Sequence, residues 1–500
     1  MTEKPITRRT LLTGAAAGAG AAAFTYASLP AWAKPIARAA AVRQPDSLPF
    51  PHLPAGHPTP GLEQIQHIVV LMMENHSFDN LLGMVPHQIK SRSQVDGLTA
   101  RGGRITNSNP TAVLSVTGTT TSTETTTTGT TTTVTTGTPV YTPDVTGPSV
   151  TASLAASPCQ GDTVAQDWNA SHISWNNGAN NGFVQASGTQ SMWYWDKSFL
   201  PFSYSMAEYF PIGQRYFCSV MAQTYPNRRF LFCGTASGLT ATNQETFSVP
   251  AANGTIFDRL LKYKVSWLNY VEPENGSLEG SPLIVPNFAD SDACTSRIVS
   301  IDQFYTDAAN GKLPSFSFLD PNYTTTSEEN PQDIQAGEEF VAKVVNAVMH
   351  SPQWKNTALF IMYDEHGGYY DHVPPPAAIA PDSIAPNQAY ANPGYTLMPG
   401  SYNRYGFRVP LFVVSPWAKA NYVSKVVQDH TSIAAFIERK WNLPAKTFRD
   451  ANAHPMTDYF DFKQPAFLKP PKLTAAPAMA PGLAECKAAG LTPPAGTPGT

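Results

Sequence analysis

The sequence predicts an α/β protein with a mostly parallel central sheet and helices on both faces. Three observations predict it. Two clean apolar runs stop abruptly in acidic residues, segments of helical period alternate with such runs, and 42% of the chain is hydrophobic, enough for a large core. The first run, residues 358–363, ends in Asp364 and Glu365, followed by His366, Gly367, Gly368, Asp371, His372 and three prolines. Adjacent carboxylates repel each other, and they tolerate it when a cation sits between them or one binds a proton. The second run, residues 64–73 (QIQHIVVLMM), stops on Glu74 and Asn75, both oxygen donors. A solvated turn explains one such ending. Two of them fit the carboxyl edge of an open sheet, where α/β proteins place their chemistry.

The rest of the chain is read around these strands. Residues 1–33 carry a twin arginine, Arg8-Arg9, a Gly/Ala-rich apolar run, and the small-x-small pattern Ala31-Trp32-Ala33. They resemble a twin-arginine export signal, which implies passage through that translocase to the periplasm, cell surface or exterior. Residues 34–63 are a Pro/Ala-rich lead-in, 64–462 the main domain and 463–500 a Pro/Ala-rich tail. Residues 103–148 are dominated by Thr, lack large apolar side chains, and read as a disordered insertion. Formal net charge is −4, so no nucleic-acid footprint is visible. Five cysteines without CxxC spacing leave at least one unpaired within the chain and allow one or two disulfides.

Three further segments carry polar or aromatic signals. Residues 167–183 mix aromatics and amides with His172 and suit either a polar pocket or a surface turn. Residues 193–210 are aromatic enough to wall a cleft for an apolar substrate, although core packing explains them equally well. In residues 224–233 Pro226 falls in the first turn of an expected helix, which puts Thr224 where free amides favour an anion. A plain helix cap also explains Thr224 on its own. Strands are expected at 313–320 and 408–415. Helices are expected at 334–350, with Val341, Val344, Val345 and Val348 on one face, and from Asp429 onward.

Glu74, Asn75, Asp364 and Glu365 can converge at one sheet edge beside the Thr224 hydroxyl. That set suits a divalent cation and phosphoryl transfer through Thr224. The motifs IQHIVVLMMENHSFD at 65–79, TYPNR at 224–228 and DEHGGYYDHVPPP at 364–376 resemble the bacterial phosphoesterase family of non-haemolytic phospholipases C and respiratory-burst-inhibiting acid phosphatases. The resemblance spans about residues 64–443 outside the Thr-rich insertion. It implies an alkaline-phosphatase-like fold and a divalent metal ion held by Glu74, Asn75, Thr224, Asp364 and Glu365. It also implies Thr224 as nucleophile, with His172 and His372 around the phosphate. Asn75, Arg228, Asn330 and His430 complete the substrate-binding set expected here. Where the family commonly has Glu-His-Pro, this chain has Glu329-Asn330-Pro331, so a histidine is missing. An amide cannot protonate a leaving group, and His372 is the expected substitute, with His430 second. The expected reaction is phospholipase C hydrolysis of phosphatidylcholine-type lipids through a phosphothreonine, with peripheral contact to the membrane. A broad-specificity acid phosphatase acting on small phosphoesters is the alternative, and a non-catalytic secreted surface protein is the second.

Overall fold

A computed structural model describes residues 42–111, 147–161, 164–286, 288–477 and Cys486, together with the backbone of four short strands between 113 and 144. The export signal lies outside the described residues. Strand β1 is His67–Met73. The others are β2 Ile212–Gly213, β3 Trp267–Val271, β4 Ile298–Ser300, β5 Phe316–Asp320, β6 Thr357–Tyr363, β7 Leu411–Val414 and β8 Val423–Ser424. They form one sheet in the order β4-β3-β5-β1-β6-β7-β2-β8. Neighbours from β4 to β6 pair in parallel, and β7 runs antiparallel between β6 and β2. The apolar runs of β1 and β6 are buried along nearly their whole length. That is the signature of interior parallel strands covered on both faces. The register pairs His67 with Thr357 and Met73 with Tyr363, so β1 and β6 end level.

The helices used below are α1 Phe78–Leu82, α2 Trp168–Trp175, α3 Thr224–Cys233, α4 Ile256–Lys262, α5 Ile301–Ala309, α6 Ile334–Met349 and α7 His430–Trp441. Helix α3 packs against α4 and α7, while α5 packs against α6. The valine stripe expected on α6 is buried, and the Asp333 carboxylate caps its first turn. Asp429 caps α7 through a capping box with Ser432. The expected strands at 313–320 and 408–415 are present but shorter. Strands β2 and β8 have two residues each, too few for any periodicity to be read.

Four features add to these expectations. The Thr-rich tract is not wholly irregular. Ser108–Pro110 pairs with Ser149–Thr151, Val113–Val116 with Tyr141–Asp144, and Ser122–Thr125 with Thr131–Val134, all antiparallel. β-Branched Thr favours the extended chain even where no core is available. Of the aromatics of 193–210, Trp195, Phe202, Tyr204 and Phe210 are buried and pack inward, while Tyr194 lines a surface pocket with Met84 and Ile105. The tail is docked, since Phe467 meets Phe210 at 4.8 Å and the Thr474 amide donates to Ser205 Oγ. Cys159 is bonded to Cys486, and Cys218, Cys233 and Cys294 are free and buried.

Phe360, at the centre of β6, packs edge-on to Phe436 of α7 at 5.1 Å and is fully buried. Phe360→Ala is expected to lower the unfolding free energy by about 3–5 kcal/mol, as measured by the shift of the denaturant midpoint.

Candidate active site

The level ends of β1 and β6 bring the two acidic endings together. The Asp364 amide donates to Met73 O at 3.0 Å. The amides of Asn75 and Glu365 both donate to Asp364 Oδ1, at 3.1 and 2.7 Å. Asn75 turns out of the strand at φ 66°, a left-handed conformation that Asn tolerates. The returning chain passes so close that a Cβ on Gly367 would lie 1.8 Å from Asn75 O. That approach is what the Gly-Gly after His366 permits.

Glu74, Asn75, Asp364 and Glu365 are each no more than 1% exposed. Each leaves an oxygen without a hydrogen-bond partner: Glu74 Oε2, Asn75 Oδ1, Asp364 Oδ2 and Glu365 Oε1. Their other oxygens show how they are held. Glu365 Oε2 accepts from His366 Nδ1 and the Gly367 amide, and Glu74 Oε1 accepts from Arg228. Orphaned buried oxygens are costly, and four on neighbouring residues form an all-oxygen donor set that fits a hard divalent cation. Burial first, then the Asp364 charge, holds Glu74 and Glu365 well above the usual carboxylate range.

Thr224 is the first residue of α3, with Gln223 rather than Thr224 in the cap position. One turn on, at i+4, Arg228 faces the same side. Its guanidinium reaches Asp320 at 2.9 Å and Glu74 at 3.2 Å, and its Nε stands 3.5 Å from Asp364 Oδ2. That last contact is an ion pair without hydrogen-bond geometry, since both atoms lack a bonded partner. Asp320, at the end of β5, is anchored by Asn269, Ser281 and Tyr323. Glu74, Thr224, Tyr225 and Arg228 line a single cleft of about 330 Å³. Arg228 is thus tied to carboxylates while it lines the cleft beside Thr224.

The expected histidines do not join this site. His372 Nδ1 bonds Asp79 Oδ2 at 2.6 Å and its Nε2 bonds Asp96 Oδ1 at 3.1 Å. Arg408 bridges Asp79 and Asp371 in the same cluster. Both ring nitrogens of His372 are thus engaged by carboxylates. Ligand-type atoms of Asp79, Asp371 and His372 lie within 4.8 Å of one another, a spacing that could hold a metal. Their carboxylate oxygens, however, already accept from Arg408, His372, Val373 or the Asp79 amide. His172 packs on Trp168 at 4.4 Å, bonds Trp168 O and lies against Gly400, in a separate aromatic cluster. Burial lowers it to about 4. His430 lies behind the site. Its Nε2 donates to Asp364 O at 2.6 Å and its Nδ1 meets the Tyr216 hydroxyl, so it positions a backbone rather than a substrate. Asn330 is buried with both amide atoms unpartnered, next to Glu329.

With this geometry in place, the comparisons with known proteins are specific. The model of the Phosphoesterase family matches residues 65–444. The chain belongs to the phosphoesterase family. It is 28% identical over 496 residues to Phospholipase C A of Mycobacterium tuberculosis, covering 91% of this chain and 86% of that protein. It is 28% identical over 426 residues to Non-specific phospholipase C1 of Arabidopsis thaliana, covering 79% of this chain and 71% of that one. Among solved structures it is similar to a protein of the alkaline phosphatase superfamily from Vibrio parahaemolyticus. That likeness has a TM-score of 0.32 at 10% identity and covers 60% of this chain and 71% of that one, too loose to align individual site residues. This phosphoesterase is a phosphoric ester hydrolase, which sets aside the non-catalytic alternative.

Two acids of the phosphoesterase escaped the reading of its sequence as site residues. Glu329 lies beside Glu74, Asn75 and Gln166, and burial first, with Asp364 contributing, pushes it up to about 7. Its place in the Glu329-Asn330-Pro331 segment is the sequence signal for it. Asp320 ends a strand in an acid just as β1 and β6 do, and that pattern could have found it.

The His372 cluster predicts a pH dependence of stability. Desolvation opposes its charge, but Asp79 and Asp96 outweigh that and hold His372 at about 9, above its ordinary 6.5. A raised folded value gives stability fully present below about 6.5 and lost as pH rises through 9. His372→Gln is therefore expected to cost about 1–3 kcal/mol at pH 6 and clearly less at pH 10 in paired unfolding experiments. A gap that stays constant between the two pH values would mean the charge is not the source.

Proposed function

We propose that this phosphoesterase is an exported, metal-dependent phospholipase C acting on phosphatidylcholine-type lipids through a covalent threonine ester. One observation carries the reading. Thr224, at the N-terminus of α3, shares a cleft with Glu74, and four neighbouring buried oxygens lack partners. The relatives named phospholipase C support the choice of a lipid substrate. Glu74, Asn75, Asp364, Glu365 and Thr224 would hold a divalent cation, which supplies charge stabilisation for phosphorus and a lowered pKa for the attacking hydroxyl.

The chain's own groups do the rest. The free amides of the first turn of α3 orient a phosphate against Thr224. Thr224 Oγ1 passes its proton to cleft water and bonds to phosphorus in line as the bond to the diacylglycerol oxygen breaks. That oxygen takes a proton from cleft water, since His372 is held between Asp79 and Asp96. Water then attacks phosphorus, releases the phosphorylated head group and returns a proton to Thr224. Arg228 keeps Glu74 and Asp364 in place while charge moves. Export follows from the twin-arginine segment, and among the described residues no helix is long and apolar enough to cross a membrane.

Thr224→Val keeps the shape of the side chain and removes its oxygen. It is expected to lower turnover of phosphatidylcholine roughly a thousandfold or more while leaving the unfolding midpoint close to wild type. Wild-type turnover in that variant would end the nucleophile assignment. Chelation should abolish activity, and a panel of divalent ions should restore it. Faster turnover of p-nitrophenyl phosphate than of phosphatidylcholine would instead favour the acid phosphatase.

A further inference from the structure

Residues 377–404 form one long loop between β6 and β7 that the displacement does not use. Its ends meet, since Ala377 bridges Arg404 and the Ala378 amide donates to Asn403 O at 2.8 Å. Its inner side is tied to the chain around α3. The Asn387 amide donates to Gly238 O at 2.9 Å, Thr240 and Asn243 both donate to Tyr390 O, and Asn392 Nδ2 donates to Gln223 Oε1 at 3.3 Å. Gln223 is the cap residue next to Thr224. The Tyr225 amide donates to Thr242 Oγ1 at 3.0 Å, which joins the same contacts to the cleft wall. The loop therefore adjoins the cleft where a long substrate has to enter it.

The outer side of the loop is apolar and uncharged. Eight large apolar side chains are exposed among the described residues. Ile379, Ile384 and Tyr395 of this loop are three of them, and Phe247, in the cleft wall against Tyr225, is a fourth. Half of the exposed set thus falls on the loop and the wall it adjoins, and such a concentration marks an interaction surface. The other exposed residues of the loop are Ala, Pro, Gly, Ser, Thr, Asn and Gln. Its two charged residues are occupied locally. Asp382 Oδ1 accepts from the Ile384 amide at 2.8 Å, while the Arg404 guanidinium stacks on Trp175 at 4.5 Å and donates to Pro375 O. A protein interface frames its apolar centre with a polar rim, and an anionic membrane is drawn by Lys and Arg. This surface offers no exposed charge for either. A zwitterionic bilayer requires none: Ile enters the acyl boundary and Tyr sits at the level of the head groups.

We propose that residues 377–404, together with Phe247, are the surface by which the protein seats itself on a zwitterionic phospholipid bilayer. Ile379, Ile384 and Tyr395 enter the bilayer, and the hydrogen bond from Asn392 to Gln223 holds the opening of the Thr224 cleft beside them. The proposal rests on the reading of Thr224 as the point of attack on a lipid and adds the segment that brings the cleft to the membrane.

Co-sedimentation of the intact protein with phosphatidylcholine vesicles tests it. Hydrolysis is measured as a separate arm, on those vesicles and on a short-chain phosphatidylcholine kept below its micelle concentration. Wild type is expected to partition onto the vesicles to an extent that about 0.5 M salt leaves unchanged. Ile379→Asp/Ile384→Asp is expected to partition at least about tenfold more weakly and to hydrolyse vesicles correspondingly more slowly, with wild-type turnover of the soluble lipid. A polarity-sensitive dye on Ser383→Cys reports the same contact without an acidic substitution, because Cys218, Cys233 and Cys294 are buried. Its emission is expected to shift to the blue on vesicles. Absence of wild-type partitioning overturns the surface. So does partitioning that survives the double substitution or is lost in salt, and so does a dye that does not shift. Partitioning that the double substitution removes, without hydrolysis of either lipid, supports the surface and overturns only the lipid-hydrolase reading. Hydrolysis of the soluble lipid without partitioning does the reverse.

Discussion

The convergence of Glu74, Asp320 and Asp364, all buried, around a single guanidinium, with Glu365 next to Asp364, is the constraint on which the rest of the structure depends. At an effective dielectric of about 20, two unit charges 4 Å apart interact by about 4 kcal/mol, so three buried acids on one Arg228 are strongly underbalanced. Burial first, and then the Asp364 charge, raise Glu74 and Glu365 above the usual carboxylate range. What holds the acids there is backbone. Parallel pairing of β1 with β5 and β6 sets three strand ends on one edge, and no side-chain rearrangement can separate them.

A second charge cluster shows the contrast. Asp79, Asp96, Asp371 and His372 surround Arg408, and their oxygens have donors. This cluster ties α1 to the loop after β6 and is complete as it stands. The Thr224 cluster is incomplete by one oxygen on each of four residues. Satisfaction of hydrogen bonds, more than proximity of acids, separates a structural network from a reactive one. By proximity alone Asp79, Asp371 and His372 would pass for the metal site.

Residues behind the site explain motif positions that touch no substrate. His430 holds the Asp364 carbonyl, and His76 bridges Asn80 and Glu328 O beneath the stacked ring of Tyr369. Gly367 lets the loop after β6 pass over Asn75. These groups make the two acidic strand ends rigid before any ligand arrives, which limits reorganisation during the reaction.

The sequence by itself determined the sheet class, both acidic strand ends, the helix that opens at Thr224 and the capped helix at Asp429. These are local signals: apolar runs of strand length, a proline in a first turn and a polar start, Asp429 to Ser432, ahead of an apolar helix face. It also placed Asp364 and Glu365 near Glu74, because parallel strands share a carboxyl edge. Tertiary structure alone decided the rest. It reversed β7, docked the tail and buried Trp195, Phe202, Tyr204 and Phe210. It gave His372 to Asp79 and Asp96, although the motif runs unbroken from Asp364. It made Arg228 a partner of three acids that are 92 to 154 residues away in the chain. The physical reason is that a side chain's role depends on which charges and donors long-range packing sets beside it, and chain spacing carries no record of those.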